Sequence, residues 1–266
     1  MTDCNKSVYS LRVAFTSPVQ SVLTAFRFLT VIPLSWKQDK DGDFFQASVI
    51  CFPLVGLAIG GIAAFLVYLV YPFLSSSVTA VIALLILGGI TGFLHLDGVA
   101  DSGDGLLSSR PREQALEIMR DSRSGAMGVI VLLFLILGKY AALSSLSINT
   151  LLPVLILMPL GGRAAILFSM AILPYARKDD GLGSLFYSSE RYYIAAIALF
   201  FFIFCSCYVS LSLTLFILPA LLFTVFLFSR WCFVKLGGAT GDTLGAVCEF
   251  SELSIAVAAV CFQGAA

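Results

Sequence analysis

The chain has 266 residues, of which 59% are hydrophobic and only 12% carry a charge. A soluble domain has about 25% charged residues, so this composition excludes an ordinary soluble protein and indicates several membrane spans. The formal net charge is zero, which excludes the strongly basic surface that nucleic-acid binding requires. We therefore predict an all-α, polytopic membrane helix bundle that is embedded in the lipid bilayer and binds no nucleic acid.

The N-terminal segment, residues 1–45, is mixed in polarity. It contains no compact apolar stretch followed by a small-residue cleavage site, so we predict no cleaved signal peptide. Residues 21–34 are apolar, but they are too short to span and are interrupted by Arg27 and Pro33. We predict that residues 1–45 lie on the cytoplasmic side of the membrane and that residues 21–34 form an interfacial or half-inserted helix.

Seven apolar stretches follow, each close to the roughly 20 residues that a helix needs to cross the hydrocarbon core. They are residues 46–72, 78–97, 126–145, 151–173, 192–209, 211–229 and 244–264. Of the sixteen lysines and arginines, only Lys139 and Arg163 fall inside these spans. The others all fall on one side of the predicted topology, which the positive-inside rule makes cytoplasmic. The chain is thus predicted to be one membrane domain, residues 1–266, with cytoplasmic loops at 98–125, 174–191 and 230–243.

Three aspartates, Asp97, Asp101 and Asp104, lie within eight residues at the end of the second predicted span. Their i, i+4, i+7 spacing places them on one face of a helix. Carboxylates that lie so near to one another repel unless a cation binds them. A site with only oxygen ligands favours Mg²⁺, Mn²⁺ or Ca²⁺ over zinc. We predict a divalent metal site here; the alternative is a solvated acidic helix end. His95, the only histidine, either bonds to the backbone at the helix end, or supports a residue that binds the metal, or contacts a substrate.

The segment from Pro111 to Arg123 is predicted to be an interfacial helix, because proline favours the first helical position. Arg120 and Arg123 would share one face of it, and their guanidinium groups suit phosphate oxygens. The alternative is a routine cluster of cytoplasmic positive charge. Asp121, between the two arginines, is a further acidic candidate.

A glycine-rich segment, residues 237–245, precedes the last span. The amides of a loop at a helix N-terminus form an anion site, to which Gly241 would contribute. Asp242 is either the cap of this helix or a catalytic carboxylate. Glu249 follows at i+7 on nearly the same face, which favours a substrate contact deeper in the span. The segment is not a P-loop, because it lacks the lysine.

In this order along the chain, these segments resemble the cobalamin synthase family of adenosylcobinamide-GDP ribazoletransferases. The matching residues are His95-Leu96-Asp97-Gly98 with Asp101 and Asp104, then Arg120-Asp121-Ser122-Arg123 with Gly125, and then Gly241-Asp242 with Gly245 and Glu249. Gly103 departs from the pattern, where alanine is more often expected.

The resemblance implies a reaction. A hydroxyl of α-ribazole, or of its 5′-phosphate, attacks adenosylcobinamide-GDP at the phosphorus bound to cobinamide, and GMP leaves. It also implies Mg²⁺ and the cytoplasmic (inner) membrane of a bacterium, with the site facing the cytoplasm. An oligomer is compatible with the sequence, which does not define the number of subunits.

The residues fit this chemistry because transfer of a phosphoryl group requires charge neutralisation and alignment more than covalent help. The predicted metal ligands are Asp97, Asp101 and Asp104. Asp121 or Asp242 would complete the metal shell or accept the proton of the attacking hydroxyl. The predicted substrate contacts are His95, Arg120, Arg123, Gly241 and Glu249.

Two alternatives are considered. A CDP-alcohol phosphotransferase also gathers aspartates and glycines at a membrane face, but its pattern requires an arginine shortly after the first Asp-Gly pair. Here Asp97-Gly98 is followed by Val99, Ala100 and Asp101. An ion-coupled transporter would place its carboxylates near the midplane of the bilayer, whereas these gather at one predicted face.

Overall fold

The computed structural model describes residues 9–35, 41–121, 123–177 and 182–265. Within these ranges the secondary structure is helical, apart from one isolated β-bridge. The helices are α1 (Tyr9–Thr16), α2 (Pro18–Leu29), α3 (Asp41–Ser48), α4 (Phe52–Val70), α5 (Ser76–Ile90), α6 (Leu94–Leu107), α7 (Arg112–Ile118), α8 (Ala126–Ser145), α9 (Ile148–Ile172), α10 (Arg191–Val209), α11 (Leu211–Leu236) and α12 (Gly241–Ala265). The prediction of an all-α bundle is confirmed.

Six helical segments among the described residues are long and apolar enough to cross a membrane. They are Asp41–Phe73, which includes α3 and α4, and then α8, α9, α10, α11 and α12. Helices α5 and α6 satisfy the same test only as a pair, and the chain bends by 92° between them. The seven predicted spans are therefore recovered as six helices and one bent pair, and the chain is a polytopic membrane helix bundle.

The prediction of one straight span at 78–97 is wrong, because the chain turns sharply after α5. Gly92 and Phe93 both adopt the left-handed conformation, with φ of 59° and 58°. Glycine adopts it freely, whereas phenylalanine does so rarely. The backbone N–H of Phe93 donates to the carbonyl of Gly88 at 2.8 Å, and its ring lies where a side chain at Gly88 would be. The turn starts α6 at Leu94, so residues 98–107, which were predicted to be loop, are helix.

The predicted loop at 230–243 is also too long, since α11 continues to Leu236. Arg230 limited the predicted span, but a charged residue at a helix end does not interrupt the helix when its head group reaches polar surroundings. The helix ends at Gly237, whose φ of 74° is the left-handed C-terminal conformation that favours glycine. Only residues 237–240 separate α11 from α12.

Helices α9 and α12 form the centre of the bundle. They pack on each other, while α9 also contacts α4 and α10, and α12 also contacts α6 and α11. Gly56 and Gly60, four residues apart on α4, lie directly against the backbone of α9: a Cβ atom at Gly60 would be 2.6 Å from the carbonyl oxygen of Leu155. Small residues at this spacing let membrane helices approach closely.

This contact predicts that Gly60→Ala will lower the free energy of unfolding by about 1–3 kcal/mol, as overpacking of a close contact does. Gly61 is the matched control, because no atom of the described residues lies within 4 Å of a Cβ atom there. Gly61→Ala should be neutral or slightly stabilising, since alanine is the better helix former. Thermal unfolding of both variants in detergent micelles measures the difference. Equal melting temperatures would contradict the close α4–α9 contact.

Candidate active site

Helix α6 carries Asp97, Asp101 and Asp104 on one continuous helix, as their spacing predicted. Asp97 lies in the first turn, where the helix dipole favours negative charge. Asp101 and Asp104 follow one and two turns later. The helix packs between α8 and α12, so these aspartates lie beside residues from distant parts of the sequence.

Helix α6 meets the start of α12 at Gly98. A Cβ atom at Gly98 would be 2.7 Å from the carbonyl oxygen of Asp242, so the absence of a side chain permits this crossing. The charges that act most strongly on the Asp101 carboxylate are those of Asp242, Asp97, Asp104 and Arg177. The structure therefore brings four of the five predicted catalytic aspartates to one place, where the charge of Arg177 acts on Asp101 and its guanidinium bonds to Asp242.

The connections before α10 and before α12 are joined by the isolated bridge between Tyr175 and Ala239. The backbone N–H of Ala176 donates to the carbonyl of Ala239 at 2.8 Å, and that of Ala239 donates to Pro174 at 2.9 Å. This pairing places Arg177 so that its Nη2 donates to Asp242 Oδ2 at 2.8 Å. Two connections predicted as separate cytoplasmic loops thus meet at the aspartates.

Two further basic side chains form hydrogen bonds between the connecting segments at this end of the bundle. Arg112, at the start of α7, donates from Nη2 to the carbonyl of Ala176 at 2.6 Å and from Nε to that of Leu236 at 2.5 Å. Lys235 donates to the carbonyls of Ser108 and Arg110 at 2.6 and 2.8 Å. In the sequence these residues, like Arg177, served only to assign the topology. Their contacts join connections that are distant in sequence.

Asp104 differs from the other aspartates of α6, because it binds the N-terminus of α8. Its Oδ2 accepts from the backbone N–H of Gly125 at 2.6 Å, and its Oδ1 accepts from that of Gly128 at 2.9 Å. The first amides of a helix have no partner within it, and a carboxylate from another helix satisfies them here. Its predicted role as a metal ligand stays a prediction, and the structure gives it a capping role as well.

This capping role predicts that Asp104→Ala will lower the free energy of unfolding by about 0.5–2 kcal/mol, the usual cost of losing a helix cap. Asp104→Asn retains one acceptor oxygen and should lose less. Thermal unfolding in detergent provides the comparison. If the alanine variant were as stable as the wild type, the α8 amides would not depend on this carboxylate.

The segment after α7 differs from the prediction. Helix α7 ends at Ile118, so Arg120 and Arg123 do not share a helix face; Ser124-Gly125, a turn signal, follows too closely for the helix to continue. Asp121 is exposed and accepts from the Arg123 guanidinium at 3.0 and 2.7 Å. These bonds, with one from the Arg123 backbone N–H, hold the pKa of Asp121 below its usual range. Arg120 lines a cavity of about 220 Å³ together with Arg112 and Arg177.

Glu249 and His95 lie deeper, inside the bundle. His95 is buried, and its Nδ1 is 4.0 Å from Glu249 Oε1. Glu249 Oε2 accepts from Lys139 Nζ at 2.6 Å, and Glu252 Oε2 accepts from the same ammonium at 2.7 Å. Glu252 Oε1 also pairs with Arg163 Nη1. We call Lys139, Arg163, Glu249 and Glu252 the buried ion network.

Two cavities meet at Asp97. The first, about 240 Å³, is lined by Asp97, Asp242, Gly241 and a group of phenylalanine rings, and we call it the aspartate cavity. These rings are Phe28, Phe52 and Phe186, which contact one another. The second is an open groove of about 740 Å³ that runs past Thr30, Asp97 and Ala100, and we call it the Asp97 groove. A ligand in either space would contact Asp97.

The fold and this site define a polytopic membrane protein whose acidic residues gather at one end of the helix bundle. The family model described as cobalamin-5-phosphate synthase matches residues 21–260, and the chain belongs to that family. The resemblance predicted from the motifs is confirmed. Membership of this family also argues against the CDP-alcohol phosphotransferase and the ion-coupled transporter that were considered above.

Curated relatives agree over almost the whole chain. The adenosylcobinamide-GDP ribazoletransferase of Thermoanaerobacter sp. (strain X514) is 36% identical over 246 residues, which is 92% of this chain and 97% of the relative. The protein of the same name from Clostridium acetobutylicum is 35% identical over 87% of this chain and 92% of its own length. That from Desulforamulus reducens is 37% identical over the same shares. No solved structure matches the chain.

Proposed function

We propose that the chain joins α-ribazole, or its 5′-phosphate, to adenosylcobinamide-GDP and releases GMP. The names of its relatives state a transferase of ribazole that uses adenosylcobinamide-GDP, and the proposed reaction agrees with the site. In the reaction a ribazole hydroxyl oxygen forms a bond to the phosphorus next to cobinamide. The bond between that phosphorus and the GMP oxygen breaks, and the hydroxyl proton passes to a carboxylate of the site.

The observation that carries this proposal is that Asp97, Asp101 and Asp242 converge with Arg177, and that Asp97 lines both the aspartate cavity and the Asp97 groove. Transfer of a phosphoryl group needs two substrates aligned and negative charge neutralised. Two cavities that meet at Asp97 provide room for two substrates on either side of it. Arg177 and the amides at the start of α12 would contact phosphate oxygens.

We also propose that the site uses Mg²⁺. Among the described His, Cys, Asp and Glu side chains, no three lie in a geometry that would hold a metal ion. This agrees with the usual behaviour of Mg²⁺, which is bound through one or two carboxylates, waters and substrate phosphates. Asp97 and Asp242, which line the same cavity, would hold it together with substrate phosphate and water, while Asp104 is engaged by the α8 amides. When bound, it would neutralise the diphosphate.

The test uses the full chain, purified in detergent, with adenosylcobinamide-GDP and α-ribazole. GMP release that requires both the ribazole and Mg²⁺, and that stops when a chelator is added, would support both proposals. Release that continues in the chelator would remove the metal proposal. No release under any of these conditions, from protein with a cooperative thermal transition, would remove the proposed activity.

We further propose that this site faces the cytoplasm of a bacterial cell, because its basic connections obey the positive-inside rule. Ser109→Cys places a thiol in the exposed link between α6 and α7. Cys261, exposed near the end of α12, is a native reference for the opposite face. An impermeant thiol reagent should label position 109 in inside-out vesicles and Cys261 in right-side-out vesicles. The reverse pattern would contradict this orientation.

A further inference from the structure

A cavity of about 400 Å³ lies beside the buried ion network, and we call it the deep cavity. Most of its lining is apolar, with Leu84 and Leu85 from α5 and Ile136 and Leu137 from α8. All four residues of the ion network also line it. Its size is that of an ordinary small-molecule site, and such sites combine apolar walls with a few polar groups. The reaction proposed above places no substrate group in this cavity.

The ion network leaves hydrogen-bond donors unsatisfied. Arg163 is 2% exposed, and its buried Nε has no hydrogen-bond partner among the residues that the structure describes. The Lys139 ammonium has three N–H donors, and two of them bond to Glu249 and Glu252. A buried donor without a partner costs free energy. A ligand with an acceptor lone pair would remove that cost.

The network also limits the charge of this ligand. Two carboxylates balance one ammonium and one guanidinium, so the group is neutral as a whole. A charged ligand would add an unpaired charge inside the bundle, which is expensive at membrane depth. The expected ligand is therefore uncharged, mostly apolar and equipped with an acceptor.

The deep cavity adjoins the Asp97 groove. Both spaces are lined by Thr91, Phe93, Leu96 and Ile136. Leu96 and Asp97 are neighbours in sequence at the start of α6. An extended ligand would therefore reach from the ion network to the aspartates, with its polar end at the site of reaction.

We propose that the deep cavity binds the heteroaromatic base of the ribazole, with a ring nitrogen accepting a hydrogen bond from Arg163 or Lys139. This inference rests on the proposed function. A benzimidazole, the type of base that a ribazole carries, meets these requirements, because it is flat, largely apolar, uncharged at neutral pH and has one free nitrogen lone pair. Its ribose extends along the groove and brings the attacking hydroxyl to Asp97.

Two other arrangements fit less well. A lipid acyl chain would cover the apolar walls but would leave the donors of Arg163 and Lys139 unsatisfied. The aspartate cavity is smaller, and its polar lining includes Asp97 and Asp242, which are acceptors when ionised. An acceptor nitrogen gains nothing from another acceptor.

The first test needs no substitution. Equilibrium binding of free dimethylbenzimidazole and of dimethylindole to the full chain in detergent compares two bases of the same shape. Dimethylindole lacks the acceptor nitrogen, so we expect it to bind at least about tenfold more weakly, as ligands that leave a polar site unpaired do. Equal affinities would overturn the proposed hydrogen bond.

The second test fills the cavity. Leu84→Trp, and separately Val81→Phe, should weaken benzimidazole binding and raise the KM for ribazole at least about tenfold. The KM for adenosylcobinamide-GDP should not change. Leu133→Trp is the control, because Leu133 faces outward on α8, is 53% exposed, and lines none of the cavities described above.

The outcomes separate this inference from the proposed function. GMP release with an unchanged ribazole KM in both filled variants would overturn the deep-cavity assignment and keep the activity. It is also the outcome expected if a lipid chain occupies the cavity. Benzimidazole binding that the filled variants abolish, in a protein that never releases GMP, would keep the binding site and overturn the activity.

Discussion

Replacing Asp97 with asparagine should lower the rate of GMP release by at least about 100-fold, the usual loss when a group that stabilises transition-state charge is removed. Asp97 lies where the aspartate cavity and the Asp97 groove meet, and it is among the charges that act on Asp101. Asparagine keeps the shape and removes the charge. Steady-state kinetics at saturating substrate, on protein with an unchanged melting temperature, measure the effect.

Asp43→Asn is the control for Asp97→Asn, because Asp43 is an exposed aspartate on α3. It should retain wild-type kinetics. The dependence of residual activity on Mg²⁺ separates two roles for Asp97. A lost metal ligand raises the Mg²⁺ concentration that gives half the maximal rate, whereas a lost proton acceptor does not. Full activity of Asp97→Asn would remove Asp97 from the mechanism.

The sequence predicts best where a local rule applies. The spacing of Asp97, Asp101 and Asp104 follows from the period of a helix, and α6 has that geometry. The positive-inside rule predicts that the basic connections lie together, and Arg112, Arg177 and Lys235 meet at one end of the bundle. These features depend on residues that are near in sequence or on a property of the whole chain.

The turn into α6 did not follow from local rules. A phenylalanine in the left-handed conformation is disfavoured, and Phe93 adopts it in a structure where its ring packs at Gly88. The apolar pattern of 78–97 favoured an uninterrupted helix. The bend is a tertiary effect, and it places the three aspartates on a separate helix that is bent by 92° from α5.

The partners of the buried charges were not predictable either, because they are far apart in sequence. Lys139 and Arg163 were the only basic residues inside predicted spans, and Glu249 and Glu252 were acidic residues deep in another. Opposite charges in separate apolar spans are a signal for pairing, because an isolated one is expensive there. The pattern did not indicate which residue pairs with which.

Replacing Lys139 with methionine should lower the free energy of unfolding by about 3–5 kcal/mol, the cost of breaking a buried ion pair. The change leaves Glu249 and Glu252 without the ammonium to which both are bound. Methionine is similar in length to lysine, so the loss of stability reflects the removal of the charge and not the creation of a cavity. Unfolding by heat or denaturant in detergent micelles measures it.

The double variant Lys139→Met with Glu249→Gln removes one cation and one anion, so the remaining pair is again Arg163 with Glu252. It should recover part of the stability that Lys139→Met loses, because the unpaired carboxylate is the main source of the cost. Lys235→Met is the control, since within the described parts of the chain that ammonium bonds only to backbone carbonyls at the end of the bundle, and it should lose about 1 kcal/mol. If Lys139→Met were no less stable than this control, the buried ion network would not depend on its ammonium, and the donors assigned to the deep cavity would need another explanation.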